Sequence, residues 1–292
     1  MSKPALIRLV APFVRADAER VPLPSSRSAR RRAGRALESL LIGTASLCLW
    51  LGLWQLASTR DWQFFFRFDN IPAPSEVALA AGELVSSPKF VSHVQNSLVR
   101  IFAGFSIAAV LAVSVGVLVG HVRLAALSLL PPLEVLRPIP AVAWIPLAIL
   151  LFASAEHSMI FITFIGAFFP IFLNTIHGVE GLDRRLVYAS RTLGAGPVDV
   201  FWEVVLPGAL PAIVTGLSIG MGTSWFSLVT AEMISGQYGI GYYTWEAYTL
   251  QNYPHIVLGM INIGVLGMGS SFGIKWLGRR AMPWFRPEGS AA

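Results

Sequence analysis

The sequence predicts an all-α integral membrane protein, with about six transmembrane helices and a cytoplasmic helix-turn-helix loop between two of them. Three observations carry this. The 292 residues are 54% hydrophobic and only 13% charged, where soluble domains carry about 25% charged residues. Apolar runs of about 20 residues, long enough to cross a bilayer, recur along the chain. The basic residues fall on alternate sides of those runs, as the positive-inside rule requires. The net charge of +6 is therefore read as membrane orientation, not as a nucleic-acid surface.

Residues 1–35 form a basic tail with nine Lys or Arg, Arg27, Arg30, Arg31, Arg32 and Arg35 clustered among them, against only Asp17 and Glu19. It is too long and too rich in arginine for the start of a secretory signal peptide. A first span is expected at about 36–57. The segment to residue 95 is mixed, with Trp62, Phe64, Phe65 and Phe66 beside charges, which suits headgroup depth. Pro72, Pro74 and Ser75 announce a short helix near 76–85.

The membrane core is expected over 96–278. Its second span, about 96–120, carries Ala103, Gly104, Ala108, Ala109, Gly116 and Gly120, small residues that let helices approach closely. The third, about 124–153, is interrupted by Pro131, Pro132, Pro138, Pro140 and Pro146 and contains Glu134 and Arg137. Broken backbone and ionisable groups at membrane depth belong where protein or water surrounds them. Further spans are expected at about 158–177, 211–231 and 255–277, with a Gly/Tyr-rich loop before the last and a short tail, 279–292, after it.

The basic residues orient these spans. With the tail inside, the inner segments collect Arg123, Arg184, Arg185, Arg191, Lys275, Arg279, Arg280 and Arg286, whereas the outer ones hold Arg60, Arg67 and Lys89, with Arg100 just inside the second span. Both termini and the loop 182–207 are then cytoplasmic. Cys48 is the only cysteine, so no intrachain disulfide forms. His93, His121, His157, His177 and His255 are scattered singly without zinc spacing, and read as helix-end or loop residues. No metal is expected.

Within the loop, residues 188–207 read YASRTLGAGPVDVFWEVVLP. A helix over 186–193 is stopped by Gly194, Gly196 and Pro197, and a second over 198–206 is expected to end at Pro207. Asp199 lies near the second helix's start, where a carboxylate is favoured, and Phe201, Val204 and Val205 make one face apolar. In register, the stretch resembles the cytoplasmic coupling loop of ABC-importer permeases: Glu-Ala-Ala, three residues, Gly, nine residues, an aliphatic, one residue, Leu-Pro. Ala189, Gly194, Val204, Leu206 and Pro207 match, while Tyr188 replaces the Glu and Ser190 the last Ala. The runs at 136–147 (LRPIPAVAWIPL) and 231–242 (AEMISGQYGIGY) look like the nitrate, sulfonate and taurine branch of the binding-protein-dependent transport inner-membrane components.

The resemblance implies a type I ABC-importer permease in a bacterial cytoplasmic (inner) membrane. It implies a homodimer of permease subunits, two cytoplasmic ATPase subunits that bind ATP and Mg, and an external or periplasmic substrate-binding protein. The substrate implied is a small anion. The chain itself is expected to bind no cofactor: Lys3, Lys89 and Lys275 are the only lysines, and none sits in a GxxxxGK[ST] phosphate loop.

Candidate path residues are Glu134, Arg137, Trp144, Thr223, Ser224, Trp225 and Ser227, the aromatics and hydroxyls among them having packing or interhelical hydrogen bonds as the alternative role. Glu134 and Arg137 are three apart and can pair on a helix face, a structural alternative to anion attraction by Arg137. Glu232 is expected to be a helix-end anchor or a partner contact. Gly236, Tyr238, Gly239, Gly241 and Tyr242, followed by Tyr243 and Trp245, form an uncharged external loop, either a membrane-surface belt or a receiver for the binding protein. Two other classes compete: a secondary transporter driven by an ion gradient, which would also use broken helices, and an intramembrane enzyme, for which no nucleophile-base or metal motif is present.

Overall fold

The computed structural model describes residues 26–60, 70–85 and 87–284. Most of the basic tail, the aromatic segment with Trp62 and Phe64 to Phe66, and Arg286 lie outside the described residues. The chain divides into two units, one up to Trp62 and one from Gln63. The first holds α1 (Ser26–Thr59). Its stretch Leu40–Thr59 is apolar enough to cross a membrane, and Leu40, Leu47 and Trp50 are exposed, as lipid-facing side chains are.

The second unit is built from α2 (Pro74–Val85), α3 (Pro88–His121), α4 (Arg123–Leu136), a 3₁₀ turn (Ala141–Trp144) leading into α5 (Ile145–Leu151), α6 (Ala155–Glu180), α7 (Arg184–Thr192), α8 (Pro197–Val200), α9 (Leu206–Ser235), α10 (Ile240–Thr249) and α11 (Tyr253–Ala281). No strand occurs among the described residues. Five helices are long and apolar enough to span a bilayer, and the pair Arg123–Leu136 and Ala141–Leu151, bent by 86°, makes a broken sixth.

Helix α6 is the hub, packed against α3 on one side and α9 on the other. Ile101, Phe105, Ile171, Phe172, Met221 and Leu228 form the centre of the buried core. The close approach depends on small residues, as expected between membrane helices: a Cβ added at Gly104 would lie 2.7 Å from both the Ile160 carbonyl and Thr163 Cβ.

Several boundaries differ from the sequence reading. The second span begins eight residues earlier, at Pro88, because proline is suited to the first turn of a helix. The third breaks at Arg137 to Pro140, while Pro131 and Pro132 are held inside α4. Pro207 does not end a helix. Residues 197–235 run on as one span through a π turn, Phe201–Val205, in which the Leu206 N–H reaches back to the Phe201 carbonyl. The wider turn accommodates the ring and missing N–H of Pro207. The segment after α9 is likewise not a loop throughout, since residues 240–249 form α10. His93 also departs from expectation: it lies inside α3 and is buried.

At the end of the bundle where α3 and α6 begin and α9 ends, a charged lock joins four helices. His93, Ser97 and Arg100 lie at i, i+4 and i+7, on one face of α3. The Arg100 guanidinium donates from Nη1 to Glu232 Oε1 of α9 (3.0 Å) and to the Tyr238 carbonyl (2.5 Å), and from Nε to Glu156 Oε2 of α6 (2.7 Å). A second nitrogen, Nη2, donates to Glu156 Oε1. Glu232, with no exposed surface, also accepts from Ser97 Oγ (2.7 Å) and from the Gly241 N–H (2.9 Å). Every charge here has partners, which burial at this depth demands. Replacing Arg100 by Gln should cost roughly 3–5 kcal/mol, because it leaves the Glu232 carboxylate buried and uncompensated. Glu156→Gln, at a half-exposed position, should cost far less. Unfolding in detergent measures both, and equal losses would contradict the lock.

Candidate translocation path and coupling loop

Where the broken pair bends, the chain leaves a cavity of about 580 Å³ against α6 and α9, lined by Arg137, Pro140, Gly166, Phe169, Thr223 and Ser227 among others. Gly166 and Thr223 lie well inside their spans. The α9 wall is fastened by Thr223 Oγ1, which donates to the Gly166 carbonyl at 2.7 Å. Ser227 Oγ is satisfied within its own helix by the Thr223 carbonyl (2.8 Å). Arg137 is thus the only charged side chain among the described lining residues. It makes no ion pair with Glu134 or with any other described residue; both are exposed, because α4 ends at Leu136 and the bend begins at Arg137.

The other path candidates are placed differently. Ser224 and Trp225 are buried in helix packing: Ser224 Oγ donates to the Thr163 carbonyl (3.3 Å) and the Trp225 indole to Ser270 Oγ (2.9 Å). Of the candidates on this helix, Thr223 and Ser227 line the cavity, together with Phe226. Trp144 is half-buried against the core, and its buried indole N–H has no partner among the described residues.

At the lock, the glycine-rich segment is tightly turned rather than loose. Gly239 takes φ +126 and sits against the Glu232 carboxylate, where a side chain would collide with it. Its N–H donates to His93 Nδ1 (3.0 Å), so the imidazole proton is on Nε2. Gly241 packs on the Val229 carbonyl, and Gly236 closes α9 by donating to the Glu232 carbonyl (3.0 Å). Tyr238, Tyr242 and Tyr243 surround the His93 ring at 5.8–6.0 Å between centroids. The Tyr243 hydroxyl contacts His255 Nδ1 at 2.5 Å, and burial, helped by the Glu246 charge, pushes this phenol up to about 12. Tyr238, Trp245 and Tyr248 remain exposed. Nothing in the sequence groups Arg100, Ser97, His93 and Glu156 as a site. The one available signal was a lone arginine inside an apolar span.

At the opposite end, Asp183 caps α7 by accepting from the Arg185 N–H (2.9 Å), and Asp199 accepts from the Gly196 N–H (3.0 Å) at the start of α8. Gly194 joins them with φ +92, its N–H donating to the Arg191 carbonyl (3.0 Å), while Ala195 N–H reaches the Ser190 carbonyl (3.1 Å). Val200 and Val205 are buried against Val179, Ala209 and Ile213, with Val204 and Leu206 packed at the edge. This small core anchors the hairpin on the ends of α6 and α9. Tyr188, Ala189 and Pro207 lie outside it. Leu186, Tyr188, Leu193, Val198 and Trp202 point outward, Leu193 being 88% exposed. An apolar surface of this kind, built on two short capped helices, suits a groove on another protein. Among the described residues no cluster of His, Cys, Asp and Glu could hold a metal ion.

Comparison with known proteins agrees with this geometry. The family described as the binding-protein-dependent transport system inner membrane component matches residues 108–286. The chain is 33% identical over 232 residues to the nitrate import permease protein NrtB of Synechocystis, covering 76% of this chain and 82% of that one. It is 30% identical over 264 residues to a Bacillus subtilis protein named as an aliphatic sulfonates transport permease, SsuC, covering 90% and 95%. With the bicarbonate transport system permease protein CmpB of Synechococcus elongatus it shares 40% over 184 residues, covering 63% and 66%. These matches do not favour a secondary transporter or an enzyme. The bent span, the hairpin and the matched residues together place this chain in the binding-protein-dependent transport system inner membrane component family, as a multi-pass permease of an ABC transport system.

Proposed function

We propose that this permease pairs with a second copy of itself, takes two ATPase subunits on its α7–α8 hairpin, and passes a small oxyanion from an external binding protein through the cavity at Arg137. The observation that carries the substrate class is Arg137 itself, a cation without a carboxylate partner at a cavity between the spans. Nitrate, sulfonates and bicarbonate, named for the relatives, are anions that a guanidinium recognises by charge-assisted hydrogen bonds. The chemistry of ATP and Mg belongs to the partner subunits. The exposed apolar residues of the hairpin support their docking there. Exposed Tyr238, above the Arg100 lock, supports contact with the binding protein on the other side, in a bacterial inner membrane with both termini cytoplasmic.

Three measurements test this. Uptake of nitrate or taurine into proteoliposomes containing the ATPase subunits and binding protein should fall at least about tenfold in Arg137→Gln, the scale of one lost charged hydrogen bond, and be largely kept in Arg137→Lys. Unchanged uptake in Arg137→Gln would remove the residue from the path. In a Cys48→Ser background, Thr192→Cys and Gln237→Cys should react with an impermeant thiol reagent from opposite sides of the membrane; labelling of both from one side would overturn the topology. Gly194→Val, straining a φ that costs about 1–3 kcal/mol outside glycine, should weaken retention of the ATPase subunits while the spans stay folded. Gly194→Asn, which tolerates positive φ better, should retain them.

A further inference from the structure

A second cavity, of about 620 Å³, lies between α9 and the last turns of α11, away from Arg137 and from the hairpin. Pro211, Thr215, Ser218, Phe272, Lys275 and Arg279 are among its walls. Lys275 and Arg279 are one helical turn apart and share a face, and neither has an ion pair among the described residues. No carboxylate is among the described residues that line the groove. The hydroxyls of Ser218 and Ser271, also in its wall, make no hydrogen bond with another described residue. Two cations and two hydroxyls thus line one groove whose other walls are apolar except for Thr215, whose hydroxyl donates to the Pro211 carbonyl (2.9 Å). Arg279 lies over the Phe272 ring, 5.8 Å from its centroid. On the same helix Arg280 lies over the Trp276 ring, 4.6 Å from the centroid, an aromatic and basic pairing typical of the boundary between lipid and water.

We propose that this groove holds an anionic phospholipid, its headgroup phosphate between Lys275 and Arg279 and an acyl chain along Pro211, Ile219 and Phe272. A free anion would satisfy the cations but not the apolar walls, and a neutral lipid would satisfy the walls but leave the cations without a counter-charge. Basic residues beside a membrane span attract anionic lipid by about a factor of five each. Placing the lipid in the cytoplasmic leaflet rests on the topology proposed above; the groove's preference for it does not.

The test uses the full chain, stripped of lipid in detergent, with phosphatidylglycerol or phosphatidylcholine titrated in and bound lipid counted by native mass spectrometry. Phosphatidylglycerol should bind at least tenfold more tightly than phosphatidylcholine. Lys275→Gln and Arg279→Gln should each weaken phosphatidylglycerol about fivefold, and the double variant about thirtyfold, with phosphatidylcholine unaffected and unfolding of the lipid-free variants unchanged. The single variants decide the matter if the double variant does not fold. Equal retention of the two lipids would overturn the proposal, as would undiminished phosphatidylglycerol binding in the variants. So would displacement of the lipid by micromolar inorganic phosphate, which marks a free-anion site. A disulfide between two copies through Phe272→Cys, in the Cys48→Ser background, would assign the groove to a second subunit. Because lipid is counted in detergent, this result stands apart from the sidedness measured by thiol labelling.

Discussion

The buried Glu232 carboxylate is the constraint on which the rest of the bundle depends. A carboxylate with no exposed surface must be compensated, and here Arg100, Ser97 and the Gly241 N–H supply the compensation. The partners come from two other elements: α3 brings Arg100 and Ser97, and the start of α10 brings Gly241. Arg100 in turn reaches Glu156 at the first turn of α6. The relative heights of α3, α6 and α9 are thereby set at one end of the membrane. Glycine is required at 239 for the same reason, since the backbone passes directly against the carboxylate with φ +126.

From that fixed end the three helices run together, and their opposite ends carry the hairpin. The small core of Val179, Val200, Val205, Ala209 and Ile213 ties α8 to α6 and α9, and the π turn before Pro207 makes α8 and α9 one continuous element. The hairpin is therefore joined to one continuous helix whose far end is held by Glu232. The cavity at Arg137 lies beside the middle of this helix, where Thr223 is bonded to Gly166.

What the sequence by itself determined was local. The apolar runs, the proline-broken third span, the basic asymmetry and the spacing from Ala189 to Pro207 all follow from composition and from short-range backbone preference. Those are the terms that choose between helix and break within a few residues. The stop at Gly194 was legible because a positive φ is a property of one residue. What only the tertiary structure decided was which residues meet. Arg100 finds Glu156 and Glu232 at separations of 56 and 132 residues, and nothing in its neighbourhood names them. The facing of α9 was equally hidden. In lipid a helix can be apolar all round, so its pattern does not mark the side that packs. The sequence offers Thr223, Ser224, Trp225 and Ser227 alike, and only the packing turns Thr223 and Ser227, with Phe226, to the cavity and the other two inward. Pro207 read as a stop because a proline lacks the N–H that continues a helix, and only packing of α9 against α6 makes the π turn worth forming in its place.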